Sequence, residues 1–125
     1  MEILKDLTVI IVTYKTPKKI ILDCLKSINK NVNVFIIENS KNFVHEKIIK
    51  NKFSNVKIFC TGKNLGYANG NNFGLKLTKT SYALILNPDV TCEKDFFNNI
   101  SDVINEAKDF SVIGCQYLHD KIFMP

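Results

Sequence analysis

The tripeptide Asn87-Pro88-Asp89 places an amide and a carboxylate two residues apart, directly after the apolar run from Tyr82 to Leu86. Such a run predicts a buried strand, and polar groups that bind ligands gather where the strands of a parallel sheet end. Carboxylate and amide oxygens suit Mg²⁺ or Mn²⁺, which need only one or two protein carboxylates when substrate phosphates and water complete the coordination shell. Asn-Pro-Asp is also an ordinary turn sequence, and taken alone it favours the turn.

The composition predicts one globular domain. The chain has 125 residues, of which 46% are hydrophobic and 23% charged. It contains no run of about 20 apolar residues that would predict a transmembrane helix, and the opening MEILKDL does not resemble a secretion signal. The four cysteines are scattered, without a Cys-x-x-Cys pair, which predicts free thiols in a reducing cytoplasm rather than a zinc site.

Lysine supplies all of the positive charge, and the formal net charge is +5. This balance favours anionic partners such as acidic lipids or phosphorylated small molecules, although a solvated lysine-rich surface accounts for it at least as well. Because no basic run is interleaved with aromatic residues, nucleic-acid binding is not predicted.

Apolar runs alternate along the chain with segments of helical period. The run LTVIIVTY (7–14) is rich in β-branched residues, which is typical of a strand covered on both faces. The alternation predicts an α/β fold with a doubly wound, mainly parallel sheet in three α/β/α layers. Further strands are predicted at 32–38, 56–60, 82–87 and 111–115, and helices after Pro17, over 41–53, up to about Lys79 and over 92–108.

The predicted strand ends are all polar, and none carries a standard nucleotide fingerprint. The first strand is followed by Tyr14-Lys15-Thr16-Pro17, so neither the Gly-x-Gly-x-x-Gly dinucleotide motif nor a phosphate-binding P-loop is present there. The glycines at 66, 70 and 74 recur every four residues, which places them on one helix face. Close helix-to-sheet packing explains that spacing at least as well as phosphate binding does.

Four segments in order, VIIVTY, IIENS, NLGYANGNNFGL and LILNPDV, resemble the nucleotide-binding half of the family 2 inverting nucleotide-sugar glycosyltransferases. The resemblance extends from Leu7 to Gly114 and implies the GT-A fold, a Rossmann-like nucleotide-binding half. It is strongest to the rhamnosyltransferase-like branch, where Asn-Pro-Asp commonly stands for the family's Asp-x-Asp.

The resemblance implies a set of ligand-binding residues. Thr13 and Tyr14 match the strand end that lies against the nucleoside, and Glu38 matches the acidic residue that binds the base or ribose. Gly66 and Asn72 match the segment that passes the nucleotide.

Asp89 matches the metal-binding second acid of Asp-x-Asp, and Asn87 replaces the first acid. The implied cofactor is Mg²⁺ or Mn²⁺, which would stabilise the departing nucleoside diphosphate. Asn71 falls where many relatives have an arginine.

The family's general base is expected beyond Pro125, because the chain stops 36 residues after Asp89. The acidic residues in that last stretch, among them Glu106, Asp109 and Asp120, lack the sequence context of the base. Residues 1–125 are therefore expected to form a single nucleotide-diphospho-sugar-binding domain, incomplete at its C-terminus. His45 and His119 are interpreted as surface residues.

The function implied is transfer of a sugar from a nucleoside-diphosphate sugar to a glycan or lipid-linked acceptor, as in cell-envelope polysaccharide biosynthesis. The alternative is a non-catalytic nucleotide-diphosphate-binding module that acts with a partner chain, and a nucleotidyltransferase is a weaker third hypothesis. The expected location is the cytoplasm or the inner face of the cell membrane, where peripheral association and self-association both stay open.

Overall fold

The computed structural model describes residues 2–107, 109–115, 117–119 and 122–124. In chain order its elements are α1 (Glu2–Lys5), β1 (Leu7–Thr13), α2 (Lys18–Lys26), β2 (Asn33–Glu38), α3 (Glu46–Lys52), β3 (Val56–Cys60), α4 (Tyr67–Leu77), β4 (Tyr82–Ile85), α5 (Phe96–Glu106), β5 (Tyr117–His119) and β6 (Ile122–Met124). Strands and helices alternate from β1 to α5, as predicted.

The main sheet of the described residues has the strand order β3-β2-β1-β4, and its pairs are all parallel. Thr13 at the end of β1 is in register with Glu38 at the end of β2, and Glu38 is in register with Cys60 at the end of β3. The carboxyl ends of three strands therefore stop at one level, so the loops that follow them share one rim of the sheet.

Helices cover both faces of the sheet. Val9 and Ile11 of β1 share a buried cluster with residues of α2, α3 and α5, whereas Ile10 and Val12 point to the opposite face, towards Phe73 of α4. Every residue of β1 is buried, which explains why its sequence is continuously apolar rather than alternating. The three-layer, doubly wound α/β architecture is confirmed.

Two glycines let α4 approach the sheet closely. A Cβ added at Gly70 would lie 2.8 Å from Val12 Cγ1, and one added at Gly74 would lie 2.7 Å from Ile10 Cγ2. Both distances are too short for carbon atoms in van der Waals contact, so the four-residue glycine spacing serves helix-to-sheet packing.

Several predicted bounds are wrong; α3 begins at Glu46 rather than at residue 41, and β4 ends at Ile85 rather than at residue 87. Residues 111–115 form no strand, and Val112 is 87% exposed, so this apolar run lacks the cover that would make it part of the sheet. The strands that follow, β5 and β6, instead pair antiparallel with each other. Helix α5 begins at Phe96 rather than at residue 92, because the residues before it form a turn in which the Phe96 N–H bonds to the Glu93 carbonyl at 3.0 Å.

Within the described part of the chain, no helix is both long and apolar enough to cross a bilayer.

Candidate functional site

An open cleft of about 510 Å³ lies at the carboxyl rim of the sheet. It is built where the loops after β1 and β4 face the segment that enters α4. Five of the seven residues predicted from the sequence to bind the nucleotide sugar line this cleft: Thr13, Tyr14, Gly66, Asn87 and Asp89. The remaining lining residues are Val12, Thr16, Ile20, Asn39, Asn64, Tyr67 and Pro88.

The loop after β1 presents Tyr14 to the cleft. Its side chain is 49% exposed, and the Lys15 ammonium lies 5.2 Å from the ring centroid, within the range of a cation–π contact. Lys15 itself has a φ of 52°, a left-handed backbone conformation that is uncommon for a residue with a side chain. Such conformations persist only where the surroundings hold them, and they are concentrated at functional sites.

Glu38 helps to keep Lys15 in this backbone conformation. Its side chain is 1% exposed, and its carboxylate accepts hydrogen bonds from the Thr13 hydroxyl at 2.8 Å and the Ser40 hydroxyl at 2.5 Å. The second oxygen also lies 3.5 Å from the Lys15 amide nitrogen. A buried carboxylate needs such donors to replace its lost hydration. Glu38 therefore joins the β1 and β2 loops.

This arrangement differs from the role that the resemblance gives to Glu38. The Glu38 carboxylate is buried and bonded to Thr13 and Ser40, and it does not line the cleft, so its contact with the base or ribose stays a prediction. The sequence cannot reveal this difference, because it depends on the donors that Thr13 and Ser40 bring to the carboxylate.

Asn39 connects the rim to the start of α4. Its side-chain amide donates to the Gly66 carbonyl at 2.9 Å, and its side-chain oxygen accepts from the Thr61 hydroxyl at 3.1 Å. Gly66 has a φ of 83°, which glycine adopts without strain, and its N–H bonds to Asn64 Oδ1 at 2.9 Å. These contacts fix the position at which α4 begins.

Tyr67, the first residue of α4, was missed by the sequence reasoning. Its hydroxyl donates to Asn87 Oδ1 at 2.5 Å and so bridges the entry of α4 to the end of β4 across the cleft. Tyr67 is 53% exposed. The available signal was an aromatic residue directly after the glycine that begins a helix.

Asn71 and Asn72, both on α4, lie away from the cleft lining. Asn72 is exposed and does not line the cleft. Asn71 is 5% exposed; its amide donates to the Tyr67 carbonyl at 3.1 Å, while its Oδ1 has no partner within the described structure.

Asn87 and Asp89 are both exposed at the rim, where a solvated cation could reach them. They offer one carboxylate and one amide oxygen, and the amide oxygen already accepts from Tyr67. No group of three or more histidine, cysteine, aspartate or glutamate side chains in the described residues could hold a metal unaided. The donor set therefore fits a divalent ion only if a bound ligand such as a diphosphate supplies most of the coordination shell.

Cys24 lies behind this loop, with its sulfur 3.9 Å from the Asn87 carbonyl oxygen. Burial, together with the proximity of Cys92 and Asp89, raises the pKa of the Cys24 thiol to about 12. A thiol with such a pKa stays protonated at neutral pH and is a poor nucleophile or metal ligand. Cys24 is therefore a packing residue beneath the site.

His45 was expected on the surface, but it is half-buried and its Nε2 lies 3.0 Å from the Thr16 carbonyl oxygen. An imidazole N–H donated to that oxygen ties the cleft loop to the start of α3. Glu106 and Asp109 do not line the cleft. Asp120 and the side chain of His119 lie outside the described part of the chain.

Comparison with known proteins identifies relatives of this arrangement. The family described as Glycosyl transferase family 2 matches residues 8–122. Among solved structures, Staphylococcus aureus TarS residues 1–349 superpose with a TM-score of 0.67 at 22% identity, over 80% of this chain and 32% of that one. The same fragment in complex with UDP-GlcNAc superposes with a TM-score of 0.67 at 22% identity, over 80% of this chain and 31% of that one.

A longer TarS structure gives a TM-score of 0.68 at 21% identity and covers 82% of this chain but 20% of that one. The chain thus spans a third or less of the length of these proteins, and at such identities the likeness concerns the fold. No curated protein matches the chain in sequence.

Proposed function

The chain belongs to glycosyl transferase family 2, and on that basis we propose that its rim cleft binds the donor, a nucleoside-diphosphate sugar. The observation that carries this proposal is the convergence of Thr13, Tyr14, Gly66, Asn87 and Asp89 on one cleft at the carboxyl edge of a parallel sheet. Ligands of open α/β sheets bind at that edge. TarS, which shares the fold, has been crystallised with UDP and with UDP-GlcNAc, which supports a uridine nucleotide as the first ligand to test.

In this proposal Tyr14 and Thr13 lie beside the nucleoside, and Gly66 leaves room for the ligand. The contact of Asn72 with the nucleotide stays a prediction, because Asn72 does not line the cleft. Glu38 contributes by holding Thr13 and the Lys15 amide in place, because its carboxylate is already bonded to them.

Asp89, assisted by Asn87, would hold Mg²⁺ or Mn²⁺ against the diphosphate. The ion would supply positive charge that stabilises the leaving nucleoside diphosphate. Asn87 Oδ1 already accepts from the Tyr67 hydroxyl at 2.5 Å, which leaves its second lone pair for an ion. Asp89 is the principal protein ligand in this proposal, because its carboxylate is charged and the Asn87 amide is not.

The reaction proposed for the whole site is inverting transfer to a glycan or lipid-linked acceptor, in which the acceptor hydroxyl attacks the anomeric carbon from the side opposite the diphosphate. Among the described residues that line the cleft, Asp89 is the sole carboxylate, so the base that accepts the hydroxyl proton comes from elsewhere. That observation also favours the second candidate, a nucleotide-diphosphate-binding module that acts with a partner chain. A rhamnosyl donor, a cytoplasmic location and self-association stay predictions.

Isothermal titration of the chain with UDP, dTDP and GDP, with and without Mn²⁺, tests donor binding. We expect metal-dependent binding that is lost in Asp89→Ala and kept in Asp102→Ala, a matched change of an exposed carboxylate on α5. Equal, metal-independent binding by both variants would return Asn-Pro-Asp to a turn role. A chain that binds none of the three nucleotides contradicts the proposed function altogether.

Release of UDP from UDP-GlcNAc separates the two candidates. An enzyme releases UDP when an acceptor is supplied, whereas a binding module retains the donor intact until a partner chain is added.

A further inference from the structure

The charge of the chain is unevenly distributed along its sequence. Residues 24–88 contain ten lysines and two acidic residues, which gives a local net charge of +8 within a chain whose total is +5. The two acids contribute little exposed negative charge, because Glu38 is buried and Glu46 is paired with Lys50 at 2.7 Å. The segment therefore has a nearly uncompensated positive surface.

Part of this charge is gathered at the β3 side of the sheet. We define the β3 flank as the exposed residues Lys41, Val44, Lys47 and Lys63. The Gly62 N–H bonds to the Ser40 carbonyl at 3.0 Å, so the loops that carry Lys41 and Lys63 lie side by side at the carboxyl end of β2 and β3.

The remaining flank residues adjoin that corner. α3 packs against β3 and connects β2 to β3, so it runs antiparallel to both strands. Its first turn, which contains Lys47, therefore lies near the carboxyl end of β3. Lys57 is not part of the flank, because it is in register with Phe35 and alternates with Ile58, so its side chain points to the α4 face of the sheet, opposite to α3. The three flank lysines thus lie near one corner of the sheet, at the carboxyl ends of β2 and β3.

Val44 lies three residues after Lys41 and three before Lys47, in the loop that leads into α3. Its side chain is 83% exposed, whereas the preceding Phe43 is buried at 7%. An apolar side chain held in water between Lys41 and Lys47 gains nothing in the isolated chain. Basic side chains around an exposed apolar residue match the chemistry of a bilayer surface, where phosphate headgroups overlie hydrocarbon.

We propose that the β3 flank docks on a bilayer rich in anionic phospholipids, with the lysines on the headgroup phosphates and Val44 inserted between them. Asn64 and Gly66, which line the cleft, follow Lys63 directly in sequence, so docking in this way brings the cleft beside the lipid surface. That placement suits a lipid-linked acceptor and is the one part of the inference that rests on the proposed function.

Neither protection of the sheet edge nor nucleic-acid binding accounts for the flank. A lysine on an edge strand deters sheet-to-sheet aggregation, which explains Lys57 but not the loop residues Lys41 and Lys63. A nucleic-acid surface would interleave lysines with exposed aromatic side chains for base stacking, whereas the exposed apolar residue here is the aliphatic Val44.

Flotation of the whole chain with vesicles tests the proposal. We expect binding to vesicles of equal parts phosphatidylcholine and phosphatidylglycerol, loss of that binding at high salt, and no binding to phosphatidylcholine alone. The triple change Lys41→Gln, Lys47→Gln and Lys63→Gln should weaken binding roughly a hundredfold, at about fivefold per lysine. Val44→Ser should weaken it a few-fold further.

The matched control removes the same charge elsewhere, by Lys5→Gln, Lys76→Gln and Lys94→Gln. Equal weakening by the two triple variants would show that total charge, not the flank, governs binding, and would overturn the proposal. Flank-dependent binding to single-stranded RNA without vesicle binding would overturn it as well. Thermal unfolding and a UDP titration on the same variants separate these outcomes from misfolding and from failure of donor binding, because the flank lysines do not line the cleft.

Discussion

Gly74→Ala is expected to destabilise the chain, although alanine is the better helix former. Gly74 lies within α4 on the face that meets the sheet. A Cβ at this position would lie 2.7 Å from Ile10 Cγ2 and 3.2 Å from Ile37 Cγ1, and both isoleucines are fully buried. The helix must therefore move outward, or the isoleucines must leave their preferred rotamers.

Two opposing terms decide the magnitude. Replacing a helical glycine with alanine stabilises a helix by about 1 kcal/mol. Overpacking a tight core costs about 1–3 kcal/mol, and the β-branched Ile10 has little freedom to turn aside. The overpacking cost less the helix term leaves a fall in the free energy of unfolding of up to about 2 kcal/mol in urea denaturation, with a Tm lower by roughly 5 °C.

Two controls isolate the steric term. The pair Asn72→Ala and Asn72→Gly, at an exposed position of the same helix, measures the helix-propensity term without a clash. In an Ile10→Ala background the added methyl group enters vacated space, so Gly74→Ala should there be neutral or stabilising. If Gly74→Ala stabilises the unaltered chain, the close packing of α4 on β1 is refuted.

Hydrogen bonds from Ser81, including one from its N–H at 2.9 Å, hold the pKa of Asp6 below its ordinary value of 3.8. The stabilisation that the Asp6 carboxylate contributes is thus present above pH 3.8 and is lost as the pH falls through its lower pKa in the folded state. Asp6→Asn should therefore make the Tm fall less steeply with decreasing pH. An unchanged dependence of Tm on acid pH would contradict this. The raised pKa and the burial of Cys24 predict that its thiol reacts with an aromatic disulfide reagent only after unfolding in urea. The exposed Cys60 is expected to react in the folded chain. Comparable reaction rates for the two thiols would exclude the buried position of Cys24.

The order of the strands and helices could be predicted because the central strands are covered on both faces of the sheet. β1 and β2 are apolar almost throughout, and β3 occupies the predicted residues 56–60. The run 111–115 looks similar in sequence, but strand formation requires a neighbouring strand and cover, which depend on distant parts of the chain. Local composition could not distinguish these cases.

The cleft was predicted in its location and less well in its contacts. Strand ends identified the positions of Tyr14, Gly66 and Asp89, because parallel strands bring their carboxyl ends to one edge. The bonds from Thr13 to Glu38 and from Tyr67 to Asn87 join side chains of different segments, at separations of 25 and 20 residues. No single-sequence pattern encodes such pairings.

The central position of β1 also determines how the molecule can move. Because β1 is hydrogen-bonded on both edges, deuterium should replace its amide protons only through near-global opening, and Ile10 and Ile11 should exchange among the slowest residues. The loop that begins at Tyr14, one residue beyond that strand, can fluctuate without disturbing β1. Substitutions in this loop that change ligand preference therefore need not lower the stability of the sheet.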